Sequence, residues 1–129
     1  MRKTISILSV SVLSVFLFVT AVSAYTVYRF VLENVGDTAE IEADNLSGTI
    51  VLTAQVDETQ DSTLGMSLSQ KKFFGWDFIS RCNRSIKNND TVTCTWTDRS
   101  KDRYKGTLVW NSKASGETAK TIEGDFWLK

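Results

Sequence analysis

Residues 80–96 read SRCNRSIKNNDTVTCTW, and this stretch holds both cysteines of the chain, Cys82 and Cys94. Its second half carries the cleanest periodicity in the sequence. Val92, Cys94 and Trp96 alternate with Thr91, Thr93, Thr95 and Thr97. A two-residue period marks a strand with one buried face. Threonine and aromatic residues suit a pleated surface. Lys87-Asn88-Asn89-Asp90 is a turn signal. A hairpin turning at Asn88 sets Cys82 opposite Cys94, Ser80 opposite Trp96 and Phe78 opposite Asp98. Both sulfurs then lie on the apolar face with Phe74, Trp76 and Phe78. The pair is expected to form a structural disulfide. A redox pair would need the Cys-x-x-Cys spacing and a helix start, and neither is present.

The same rhythm extends in both directions. Ile50, Leu52, Ala54 and Val56 share one face of TIVLTAQV, and Leu64, Met66 and Leu68 share one face of TLGMSL. YKGTLVW offers Tyr104, Leu108 and Trp110, and TIEGDFWL offers Ile122, Phe126 and Leu128. The opening YTVYRFVLE is apolar on both faces in places, which predicts a central or covered strand. Turn signals stand at Val35-Gly36-Asp37, Asn45-Leu46-Ser47-Gly48 and Ser115-Gly116. The charged TDRSKDRYK stretch is expected to turn the chain as well. The expected fold is all-β, a small antiparallel β-sandwich of seven to eight strands with one disulfide. A small β-barrel is the alternative. The chain contains no proline, a common guard of edge strands, so charge is expected to serve instead.

The first residues predict the compartment. Met1-Arg2-Lys3 is a basic start, Ile5 to Phe18 is apolar apart from serines, and small residues end the run at Ala24. That is the form of a secretory signal peptide over 1–24. A single β domain is then expected over 25–129. The leader takes two cations and no acid, so thirteen basic residues remain against fifteen acidic ones, a net charge of −2. This balance predicts no nucleic-acid partner, which would require a basic footprint. No stable membrane insertion is expected after cleavage. The charge is uneven along the chain: Arg29 stands alone among the acids of 25–70, whereas 71–105 is mostly basic. Interleaving of these strands on folding is expected to cancel much of that field.

The chain has no histidine. Ser-His-Asp and Cys-His catalysis are therefore excluded, and so are the usual zinc sites. No metal, no cofactor and no catalytic residue is predicted. Asp57, Glu58 and Asp61 form an acidic turn without the EF-hand pattern. Strand parity nominates aromatics on polar faces as binding residues, Phe73 and Trp127, and Tyr25, the expected new N-terminus after cleavage, is a third candidate. A basic loop of Arg99, Lys101, Arg103 and Lys105 is the second candidate. The expected function is that of a secreted, non-enzymatic binding or effector protein, bacteriocin-like or inhibitor-like. Its partner is expected to be a cell-envelope component or an extracellular protein. The alternatives are a small carboxylate-dependent extracellular hydrolase, or a small barrel carrying an apolar ligand among Phe30, Phe74, Trp76 and Trp110.

Overall fold

The structure is a computed structural model that describes residues 25–58, 62–113 and 121–129. The expected leader over 1–24, Asp61 and the Ser115-Gly116 turn lie outside the described residues. Six strands form one antiparallel sheet: β1 (Tyr28–Leu32), β2 (Thr38–Glu58), β3 (Ser62–Lys71), β4 (Trp76–Ile86), β5 (Thr91–Lys113) and β6 (Ile122–Leu128). Their order across the sheet is β1-β6-β2-β5-β3-β4. There is no helix among the described residues. The all-β, antiparallel expectation with one disulfide holds.

The strand count does not. Six strands stand among the described residues in place of the expected seven to eight, because two of them are unusually long. β2 spans 21 residues and β5 spans 23. The Asn45–Gly48 and TDRSKDRYK segments, which read as chain reversals, are bends inside these strands. Asn45 and Asp98 take left-handed backbone (φ 60° and 55°), as does Gly48 (φ 74°). Asparagine, aspartate and glycine tolerate that conformation best. The ladder between β2 and β5 shifts register between Ala43 and Ile50 and then resumes. Strands that bend at bulges carry a sheet around a corner. Before the corner, Thr38–Ala43 pairs with Tyr104–Val109; after it, Ile50–Gln55 pairs with Thr91–Trp96. The inward face of β2 changes from odd positions at Ile41 to even positions at Ile50, Leu52, Ala54 and Val56.

The bent sheet packs its inward side chains into one core. Leu52, beyond the corner of β2, reaches Gly106 and its neighbour Ile41 from the other part of the sheet, and all are buried. Leu64, Met66 and Leu68 from β3, Tyr104, Leu108 and Trp110 from β5, and Ile122, Phe126 and Leu128 from β6 complete it as their alternation predicts. Tyr104 is buried with its hydroxyl satisfied, donating to the Ser100 carbonyl at 2.5 Å. Burying each large apolar side chain contributes about 1.5–3 kcal/mol, which makes this core the main source of stability.

Cys82 and Cys94 form the disulfide, with Cα atoms 6.3 Å apart. They do not join a hairpin ladder, however. β4 pairs with β3, and β5 pairs with β2 and β3. The tight turn at 87–90 is real, with Asn89 at φ 63° and the Asp90 carboxylate accepting from the Lys87 N–H at 2.8 Å. Beyond it β4 and the first part of β5 approach only through side chains. The Trp96 indole N–H donates to Ser80 Oγ at 2.8 Å, and Arg84 Nε donates to the Thr93 carbonyl at 3.0 Å. Sequence parity therefore places Cys82 opposite Cys94 and Ser80 opposite Trp96 correctly, while the ladder it implies is absent among the described residues. The disulfide and these two bonds form a seam that covers the open side of β5 near Cys94.

Two further expectations are corrected. β1 is an edge strand, paired only with β6, and not a central one. Phe30 and Leu32 face the core, whereas Val31 is exposed. The one charged side chain of this strand, Arg29, is engaged by acids of β2 and β6. Arg29 reaches Asp57, Glu123 and Asp125 at 2.5, 3.4 and 3.7 Å. Phe74 and Phe78 do not lie on a buried face; they are 87% and 62% exposed. Phe74 lies in the turn between β3 and β4 and Phe78 in β4, the last strand of the sheet among the described residues.

Candidate binding surface

The β3–β4 hairpin closes through Lys72-Phe73-Phe74-Gly75. The Lys72 N–H donates to the Gly75 carbonyl at 3.0 Å, and Lys71 pairs with Trp76 in the ladder. Gly75 supplies left-handed backbone at φ 77°, which tight hairpins of this kind need. Phe73 and Phe74 thus occupy the centre of the turn. Small polar residues, glycine and proline are the usual occupants of such positions, because each suits the backbone and tolerates water. Here the two rings are 90% and 87% exposed and meet edge to face, with centroids 4.6 Å apart.

Charge and a third aromatic ring surround the pair. Trp76 is half-buried, and the ammonium groups of Lys71 and Lys105 stand 5.4 and 4.8 Å from its ring centroid. Such cation–π contacts hold flexible lysines against an aromatic face. Lys72 lies 4.0 Å from Asp77. Behind the tip, Gln70 links β3 to the bend of β5. Its amide donates to Ser100 Oγ at 3.2 Å and to Asp102 Oδ2 at 3.0 Å. The Asp102 carboxylate also accepts from the Arg103 backbone N–H at 2.8 Å. These bonds, the Gln70 amide first, hold the Asp102 carboxyl below the usual aspartate range. Any stability they contribute is present above pH 3.8 and is lost as the pH falls through the lowered value. An NMR carboxyl titration of the Gln70→Leu variant should return Asp102 toward an ordinary aspartate; an unchanged midpoint would remove Gln70 as the cause.

The predicted basic loop is the bent strand itself, and two of its members are committed. Arg103 bridges Glu42 at 2.7 Å and Asp44 at 2.5 Å, and Lys105 lies 3.6 Å from Glu40. The acids of β2 thus face the cations of β5, which is the expected interleaving of charge. Arg99 donates to Gln70 Oε1 at 3.4 Å, and Lys101 is exposed.

Tyr25 and Trp127 form a separate group at the other end of the sheet. Their rings stack with centroids 6.1 Å apart, and Lys129 Nζ stands 4.8 Å over Tyr25. Tyr25 lines a cleft of about 270 Å³ against Glu42, Asp44 and Leu46. A shallower hollow of about 370 Å³ adjoins it at Tyr28, Glu40 and Arg103. The carboxylates here are held by Arg103 and Lys105. No group of three or more histidine, cysteine or acidic side chains placed to hold a metal occurs among the described residues. Phe30 and Trp110 are core residues, Trp76 is half-buried and Phe74 is exposed, so the four suggested ligand-binding aromatics do not share one environment.

Of the predicted candidates, Phe73 belongs to the tip and Lys105 touches it through Trp76. Strand parity assigns Phe74 to the buried face, and the barrel alternative to an enclosed apolar ligand, so neither points to the exposed tip where it lies. The signal that identifies it is the glycine directly after the Phe-Phe pair.

No protein-family model matches this chain. No curated protein matches it either. Solved structures do resemble it. A protein from Sulfurospirillum deleyianum superposes with a TM-score of 0.52 at 8% identity, over 84% of this chain and 99% of that one. The Yersinia pseudotuberculosis-derived mitogen gives 0.48 at 14% identity, over 84% and 86%. The carbohydrate-binding module TmCBM61, solved with β-1,4-galactotriose, gives 0.43 at 9% identity, over 83% and 88%. The first likeness supports the fold alone, and the other two are too loose to carry an argument.

Proposed function

We propose that this chain is a secreted binding protein that acts by contact, without turnover, at a cell surface. The β3–β4 tip is its contact surface. The observation that carries this reading is the Phe73-Phe74 pair at the centre of a tight turn, 90% and 87% exposed. Burying the two rings in the core would have contributed about 3–6 kcal/mol to folding. Large exposed aromatics rimmed by polar groups mark interaction sites. The disulfide fits an oxidising compartment, and a bacteriocin-like effector of other cells is the role that best uses such a tip. The acids lining the clefts are engaged by Arg103 and Lys105, which favours contact over carboxylate-dependent hydrolysis.

The Phe73→Ser/Phe74→Ser variant tests the reading. Both side chains are outside the core, so its circular dichroism and melting curve should match the parent. Retention of labelled protein on intact cells should fall about tenfold, the loss of at least one hot-spot contact. Retention equal to the parent's would show that the tip is not the contact surface.

A further inference from the structure

The partner class can be narrowed further, on the premise that the β3–β4 tip is the contact surface. We propose that the tip docks reversibly into the interfacial zone of an anionic phospholipid bilayer. The residues are ordered by depth. Phe73 and Phe74 stand outermost, Phe78 is 62% exposed on the flank, and Trp76 is half-buried behind them. Lys71 and Lys105 lie over the Trp76 ring, and Lys72 stands at the base of the turn. Membrane interfaces favour this sequence of layers. Apolar rings enter the acyl boundary, tryptophan sits at the headgroup level, and lysine stems extend to the phosphates.

Shape and charge agree with this assignment. The turn is convex, and an added Cβ at Gly75 would meet nothing within 4 Å. A bilayer deforms around a protruding pair of rings, whereas a protein partner must supply a matching pocket. No acid interrupts Lys71 to Trp76. Of the nearby acids, Asp77 faces Lys72, Glu40 pairs with Lys105, and Asp102 accepts from Gln70 and Arg103. Lys71, Arg99 and Lys101 form no ion pair with a carboxylate among the described residues, and Asp98 offsets one of them. The remaining excess is small but cationic. Two rings and a few lysines give a weak attachment, comparable to a single-signal anchor.

Flotation with phospholipid vesicles tests the proposal, using the processed chain with its disulfide intact. Vesicles of phosphatidylcholine with about a third phosphatidylglycerol should bind at least about fivefold more protein than phosphatidylcholine alone. That excess should shrink at high salt. Phe73→Ser/Phe74→Ser should lose about tenfold of the binding, and Lys71→Glu/Lys72→Glu should abolish the preference for anionic vesicles. Absence of binding to the anionic vesicles, or binding that survives Phe73→Ser/Phe74→Ser, overturns the proposal. Tip-dependent retention on cells without vesicle binding would overturn the lipid assignment while leaving the contact surface in place. Retention on cells that ignores Phe73 and Phe74 would overturn both.

Discussion

Replacing both cysteines with serine should cost this domain about 3 kcal/mol, the chain-entropy value for a short closed loop. The sequence separation is 12 residues. A domain of this size unfolds with only ~5–15 kcal/mol, so the loss is a large share of the total. It corresponds to a drop in melting temperature on the order of 10–20 °C. The location of the bridge adds to the effect. Among the described residues β4 and the first part of β5 share no backbone ladder, and beyond the 87–90 turn the Trp96–Ser80 and Arg84–Thr93 bonds would remain to hold the seam. Trp96 is 8% exposed beside the bridge, so its fluorescence should shift to the red before global unfolding. Thermal melts with and without reductant, alongside Cys82→Ser/Cys94→Ser, measure this. A melting point within a few degrees of the parent would mean that the seam is held by something other than the bridge.

Gly124→Ala should be at least as damaging. Gly124 lies in β6 between two ladder partners, Phe30 of β1 and Val56 of β2. A Cβ there collides with the Gln55 carbonyl oxygen and stands 3.0 Å from Cα of Val56. These atoms are backbone, so no rotamer change relieves the clash; the strands must separate. Overpacking typically costs ~1–3 kcal/mol when side chains yield, and a backbone collision belongs at or above the top of that range. Gly65→Ala is the informative control. There the nearest atoms belong to the side chains of Val109, Arg81 and Asn111, at 2.8 to 3.0 Å; side chains can give way where backbone cannot, and Arg81 is long and flexible. Chemical denaturation should rank Gly124→Ala well below Gly65→Ala. Equal stabilities would show that β1, β6 and β2 are less tightly drawn together at this point.

Much of this architecture is legible in the residues themselves. Alternation identifies the buried faces of β3 and β6 and most of β2 and β5, because a half-buried strand leaves a local imprint. Cys82 and Cys94 could be paired from parity and compartment alone. What is not local is not visible. Asn45 and Asp98 look like turn residues since a bulge and a reversal both ask for left-handed backbone; only the register of the partner strand distinguishes them. Phe74 and Phe78 alternate like core residues, yet their exposure depends on β4 being the last strand in the sheet. Edge or centre is a property of the whole topology, which also explains why YTVYRFVLE read as a covered strand. For the proposed contact surface, Phe73 is recoverable from parity, whereas Phe74 requires knowing that the hairpin closes at Gly75.

The sheet order sets a timetable for assembly. β1 comes first along the chain, but its ladder partner is β6, the last of the six. Tyr28 must wait for Phe126, and Leu32 for Ile122. Topologies dominated by such distant pairings fold slowly. A nascent chain of this kind stays open at its leading edge until synthesis has passed β6. Closure of the sheet at β1 is therefore deferred until β6 is in place.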